Sequence, residues 1–123
     1  MGTTALTGRE FDGAVKDGIV FVDFWAGWCG PCRTFSPIFE SVSEANPDIT
    51  WAKVDTQVEQ ELADALDIQS IPTLMIFREG YLVYRHPGVL DASQLQELVK
   101  QVKEVDMDKV RAAADQAEAD LDA

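Results

Sequence analysis

Apolar positions in this chain change their period several times, and each change marks an element. Phe11 and Val15 lie four apart, the spacing of one helical face. Thr7-Gly8-Arg9-Glu10 just before them has the order of a capping box, with the Thr7 side chain accepting from a backbone N–H and Glu10 reaching back. Together they predict a short first helix that ends near Gly18. Ile19 to Trp25 is almost wholly apolar and rich in β-branched and aromatic residues, as suits a strand covered on both faces. Asp23 interrupts that run. Gly27, Cys29, Gly30, Pro31 and Cys32 follow, then a helical stretch to about Ala45. Pro31 suits the first turn of that helix, where its missing N–H costs nothing, whereas Pro37 falls inside it and predicts a kink. Ile49 to Val54 reads as a second strand, and Gln57 to Leu66 as a helix with Val58, Leu62, Ala65 and Leu66 on one face. Thr73 to Phe77 and Tyr81 to Tyr84 read as strands joined by a tight turn through Glu79-Gly80. Leu95, Leu98, Val99 and Val102 mark an amphipathic helix beginning near Asp91.

The predicted order is therefore α, β, α, β, α, β, β, α. Crossover helices imply parallel pairing for the early strands, and the tight turn implies an antiparallel pair at the end. The expected architecture is α/β: a central mixed β-sheet with helices on both faces. Beyond it, Met107, Val110, Ala114, Ala117 and Leu121 alternate spacings of three and four, an apolar stripe on an extra C-terminal helix. Its phase does not continue from Leu95, Leu98 and Val102, which predicts a break between Val105 and Asp108. The chain accordingly divides into a domain over residues 1–105 and an acidic helical extension over 106–123. That extension reads either as a solubilising helix packed weakly on the domain or as one whose stripe binds a partner or another copy.

Composition and charge narrow the function. At 123 residues and 46% apolar content, the chain is long enough to close one core without metals or disulfide staples. No run reaches the roughly 18 apolar residues of a membrane helix, and the first residues lack a basic segment followed by an apolar one. A protein of the reducing cytoplasm is expected. The net charge is −12, of which −5 falls in residues 104–123. Such a chain repels phosphate backbones and anionic membrane surfaces, so neither nucleic acid nor membrane is expected as a partner.

In a reducing compartment two cysteines separated by two residues read as catalytic or metal-binding before they read as a structural bridge. A structural zinc site needs about four protein ligands, and the chain offers Cys29, Cys32 and the distant His86. The catalytic reading has a physical basis. Unpaired N–H groups and the positive end of a helix dipole stabilise a thiolate. Cys29 falls at such a helix start and is expected to be the exposed nucleophile. Cys32, one turn on, is placed to attack a mixed disulfide formed at Cys29 and release the reduced substrate.

Val22-Asp-Phe-Trp-Ala-Gly-Trp-Cys-Gly-Pro-Cys32 resembles the signature of thioredoxins, and Ser70-Ile-Pro-Thr-Leu74 resembles their second active-site segment. Lys53 in Trp51-Ala-Lys-Val-Asp55 and Gly88 in Pro87-Gly-Val89 stand where thioredoxins carry the same residue. The resemblance runs from about residue 6 to 103, and it leaves the extension outside the family pattern. It implies a thioredoxin fold and a protein-disulfide reductase working by dithiol–disulfide exchange. Such a protein binds no cofactor, draws electrons from NADPH through a thioredoxin reductase, and acts as a monomer on disulfide-containing proteins.

The resemblance also assigns roles. Asp23 matches the buried carboxylate that takes the proton of the resolving thiol, and Lys53 its basic neighbour. Burial alone pushes a carboxyl toward its neutral form, which suits proton transfer near neutral pH; the alternative is a structural pair of Asp23 with Lys53. Pro72 matches a cis-proline that faces the cysteines. Trp25, Trp28, Gly30, Pro31, Ile71, Pro72, Gly88 and Val89 are implied as the docking surface for substrate, although sequence alone leaves either tryptophan free to fill the core. His86 is expected at the surface near a strand end. The rival class is a binding or chaperone module that uses the apolar face without turnover, which has no need for both cysteines.

Overall fold

In the computed structural model, which describes residues 2–122, the first helix α1 (Gly8–Val15) opens on the capping box expected of it. Thr7 accepts from the Glu10 N–H, and the Glu10 carboxylate accepts from the Thr7 N–H. The next elements are β2 (Ile19–Trp25), α2 (Gly30–Ala45), β3 (Thr50–Asp55), α3 (Gln60–Ala65), β4 (Thr73–Arg78) and β5 (Tyr81–Pro87). The helices α4 (Ala92–Glu104) and α5 (Met107–Asp122) complete the chain. A short strand precedes them all: β1 (Thr3–Ala5).

The five strands lie in the order β1-β3-β2-β4-β5. β2 pairs parallel with β3, β3 parallel with β1, and β4 antiparallel with both β2 and β5. The alternation of β2 sends its side chains to two cores. Phe21, with Trp51, Leu74 and Ile76, packs under Phe35 and Phe39 of α2 and under Leu95, Leu98 and Val99 of α4. Val20, Val22 and Phe24 face the other way, toward Phe11 and Val15 of α1 and the half-buried Leu62 and Leu66. Each fully buried side chain of this size stabilises by about 1.5–3 kcal/mol. Asp23 shares the parity of Phe21, so it stands on the α2 face of the sheet.

Several local expectations are corrected. β1 was not foreseen, because Thr-Thr-Ala carries no alternating pattern. It is held from outside, by pairing with β3 and by Glu40, whose carboxylate accepts from the Gly2 N–H at 2.8 Å and the Thr3 hydroxyl at 2.7 Å. α1 ends at Val15 rather than near Gly18. α3 begins at Gln60 rather than Gln57, because Asp55 Oδ1 accepts the Gln57 N–H at 2.9 Å and bends the chain first. Val58 consequently lies outside the helix and 72% exposed, not on its apolar face. β5 continues past Tyr84 to Pro87, at a sheet edge where a proline costs no ladder hydrogen bond. The turn between β4 and β5 forms at Glu79-Gly80 with positive φ at both residues, as the tightest hairpins require.

The chain breaks between α4 and α5 where the change of phase predicted it. Arg78 on β4 donates to the carbonyls of Val102, Lys103 and Val105, closing the end of α4. Of the α5 stripe, Met107 is buried, Val110 and Ala114 are half-buried, and Leu121 is 87% exposed. A cleft of about 430 Å³ lies between the first half of α5 and Leu82 and Val83 of β5, and Arg111 pairs with Glu79 at 2.8 Å.

Candidate active site

Antiparallel pairing of β2 with β4 puts the end of one beside the start of the other: Phe24 faces Thr73. The loop after β2 and the loop before β4 therefore meet at one edge of the sheet. In the first loop the Cys29 N–H donates to the Ala26 carbonyl at 3.2 Å, and the Arg33 guanidinium donates to the Gly27 carbonyl at 3.0 Å. In the second, Arg85 donates to the carbonyls of Leu66 and Asp67 and fixes the turn that leads on to Ile71.

Cys29 is the N-cap of α2, with Gly30 and Pro31 in the first turn. Its Sγ accepts the Cys32 N–H at 3.2 Å and is joined to Cys32 as a disulfide, with Cα atoms 5.2 Å apart. In the dithiol form the same sulfur would sit at the positive end of a 16-residue helix, where a thiolate is favoured. Both cysteines are 3% exposed. This corrects the expectation of an exposed nucleophile: in the disulfide form Cys29 is buried, although it lines an open cleft. Ile71, 42 residues away in the chain, brings its carbonyl oxygen to 3.6 Å from Cys29 Sγ. The Ile71–Pro72 bond is cis, and the buried Pro72 carbonyl accepts the Gly88 N–H at 2.8 Å.

Two clefts flank the disulfide. The one beside Cys29, of about 390 Å³, is lined by Trp28, Gly30, Pro31 and Ile71, with Thr56, Ile68 and Ser70 among the other lining residues. The other, of about 290 Å³ beside Cys32, is lined by Trp25, Arg33, Ser36 and Lys53. The docking residues named from sequence thus divide. Trp28, 65% exposed, stands at the Cys29 cleft, while the half-buried Trp25 belongs to the Cys32 side. Gly88 is tied to Pro72, with φ at +98°, and Val89 is an exposed neighbour of that pair. The tryptophan that fills the core is Trp51. His86 lies on β5, half-buried and stacked on Tyr84.

Asp23 is fully buried, and neither of its oxygens has a hydrogen-bond partner in the protein. Desolvation pushes its pKa up from an ordinary 3.8 to about 7, and the nearby positive charge of Lys53 opposes that rise. Lys53 faces Asp23 across the β2–β3 register. Its ammonium nevertheless donates to Ser36 Oγ at 2.6 Å and lies 5.1 Å from the centre of the Trp25 ring. Ser36 and Thr56 were not singled out from sequence. Ser36 carried a usable signal, since it lies four residues after Cys32 and shares its helical face. Among the described residues, no group of three or more His, Cys, Asp or Glu side chains is arranged to hold a metal, and no helix is long and apolar enough to cross a membrane.

Comparison with known proteins agrees with this geometry. The thioredoxin family model matches residues 2–104. A putative thioredoxin 2 of Streptomyces coelicolor is 48% identical over 95% of this chain and 88% of its own. Thioredoxin of Bacillus subtilis is 35% identical over 80% of this chain and 96% of its own. The crystal structure of a Malassezia sympodialis thioredoxin superposes with a TM-score of 0.74 at 30% identity, covering 82% of this chain and 93% of that one.

Proposed function

This chain belongs to the thioredoxin family, and from that membership we propose how its residues share the work of reducing protein disulfides. The activity itself is thiol–disulfide exchange at the Cys29–Cys32 pair, and it needs no prosthetic group. The observation that carries the assignment of roles is the position of Cys29 as the N-cap of α2, in the wall of a largely apolar cleft.

In the reduced protein the Cys29 thiolate attacks one sulfur of a substrate disulfide. A mixed disulfide forms at Cys29 and the other substrate sulfur leaves as a thiolate. Cys32 then gives its proton to Asp23, attacks Cys29 Sγ, and expels the second substrate sulfur. Two electrons have moved, and the protein is left as the disulfide. Asp23 suits the proton transfer because burial without a hydrogen-bond partner brings its pKa to about 7, near the working pH. Trp28, Gly30, Pro31 and Ile71 receive the substrate on the Cys29 side. The Ile71 carbonyl, Pro72, Gly88 and Val89 border its backbone, and Trp25 and Lys53 shape the Cys32 side. A thioredoxin reductase, drawing on NADPH, restores the dithiol in a reducing cytoplasm. The helix α5 (Met107–Asp122) is an accessory element outside this domain.

The test is reduction of insulin by NADPH and a thioredoxin reductase, repeated with dithiothreitol in place of the enzyme. Acceleration over the rate without protein is expected in both arms for the natural chain and in neither for Cys29→Ser. Equal turnover by Cys29→Ser would refute the assignment of the nucleophile. Turnover with dithiothreitol alone would remove the reductase from the scheme.

A further inference from the structure

Lys53 lies beside Asp23 in the β2–β3 register, yet no oxygen of Asp23 receives a hydrogen bond. A buried carboxylate ordinarily draws a neighbouring cation into contact, because the attraction grows as the surroundings dry. Here the ammonium is engaged elsewhere. Nζ donates to Ser36 Oγ at 2.6 Å and stands over the face of Trp25, a second favourable site for a cation. Ser36 is one turn beyond Cys32 on α2, so the helix that carries the disulfide also fixes the hydroxyl.

The other groups around Asp23 are accounted for. On α2, Cys32 is locked in the disulfide, Arg33 is turned to the Gly27 carbonyl, and Glu40 accepts from Gly2 and Thr3 while its negative charge also attracts Lys53. On β3, Asp55 accepts the Gln57 N–H. β4 contributes Leu74, and the α4 side chains packed on this face are apolar. Burial raises the pKa of the carboxyl, and Lys53 is the charged group that opposes it, so how near the ammonium is held sets how far that rise is offset.

We propose that Ser36 is a positioning residue for disulfide exchange: by holding Lys53 Nζ off Asp23, its hydroxyl keeps the Asp23 carboxyl a competent acceptor for the Cys32 proton at neutral pH. The inference rests on the reading of Asp23 given above for its effect on turnover, but not for its effect on titration. When the mixed disulfide is resolved, the proton passes from Cys32 Sγ to an Asp23 oxygen as the sulfur attacks Cys29. An ammonium paired with Asp23 would keep the carboxylate ionised and make it a weaker base for that transfer.

The titration is read on the oxidised full-length chain, in which neither cysteine titrates, by carbon NMR of the Asp23 carboxyl from pH 4 to 10. Ser36→Ala is expected to lower the Asp23 midpoint by about one pH unit, a tenfold change in acidity. Ser36→Thr, which keeps the hydroxyl, should stay with the natural chain. In a Lys53→Met background Ser36→Ala should add nothing. An unchanged or raised midpoint in Ser36→Ala, or a drop that persists without Lys53, overturns the positioning role. The pH profile of insulin reduction is the second readout: in Ser36→Ala its acid limb should follow the new midpoint and its plateau should fall. A titration that moves while the profile does not would sink the proton-transfer reading of Asp23 instead.

Discussion

Replacing Asp23 by Asn removes an ionisable group from a site where ionisation is costly. The carboxyl is fully buried, has no hydrogen-bond partner, and titrates at about 7 against an ordinary 3.8. Between those values the folded chain binds more protons than the unfolded one. The stability contributed by this one group is therefore fully present below about pH 4, is lost as pH rises toward and through about 7, and is absent above that. Each pH unit between the two midpoints corresponds to about 1.4 kcal/mol, so the whole penalty is about 4 kcal/mol. Asn has nearly the shape of the neutral acid and escapes the penalty. At pH 4 the two proteins should unfold at similar urea concentrations, because both carry a neutral group there. By pH 8 Asp23→Asn should be the more stable by about 4 kcal/mol, a rise of about 10 °C or more in Tm for a chain of this size. Urea melts of both proteins at half-unit steps from pH 4 to 9 measure the difference directly. A difference that does not change with pH would refute the argument from burial, since a packing effect has no reason to titrate. The gain in stability should come with slower insulin reduction.

Cys32→Ser should accumulate substrates as stable mixed disulfides on Cys29, visible as mass adducts that dithiothreitol releases, whereas Cys29→Ser should give none. Gly80→Ala places a Cβ at 3.4 Å from the Lys16 carbonyl oxygen on a backbone with φ at +86°; it should cost about 1–2 kcal/mol in a urea melt, the usual penalty of that conformation for a side chain. Deleting residues 106–123 removes the buried Met107 and the half-buried Val110 and Ala114. It should cost about 1–3 kcal/mol and leave insulin reduction within about twofold, and loss of folding would show that α5 belongs to the core.

What could be read from sequence was what short-range chemistry decides. The two cysteines at a helix start, the apolar run around Asp23 and the Glu79-Gly80 turn each follow from a few adjacent residues. β1 did not, because Thr3 to Ala5 become a strand only through β3 and Glu40, more than 35 residues away. Val58 was misplaced because Asp55 bends the backbone just before it, and a hydrogen bond of that kind leaves no mark on apolar periodicity. Trp25 and Trp28 could not be told apart, since their sides of the disulfide depend on how β2 leads into α2. The partner of Lys53 was the subtlest case. Register with Asp23 suggests a pair, and only the three-dimensional approach of α2 to β3 reveals the Ser36 hydroxyl as the nearer claimant.

Cys29 does two jobs with one sulfur, and they ask for different elements. As the cap of α2 it accepts a backbone N–H, a task at which the oxygen of Ser, Asn or Asp is superior. A well-started helix alone would call for one of those residues. At this residue reactivity is served at the expense of architecture, and the same is true of the buried Asp23 carboxyl. The part of the molecule that does the chemistry is thus the part where a search for greater stability has the most to gain, so such a search would be prone to dismantle the function first.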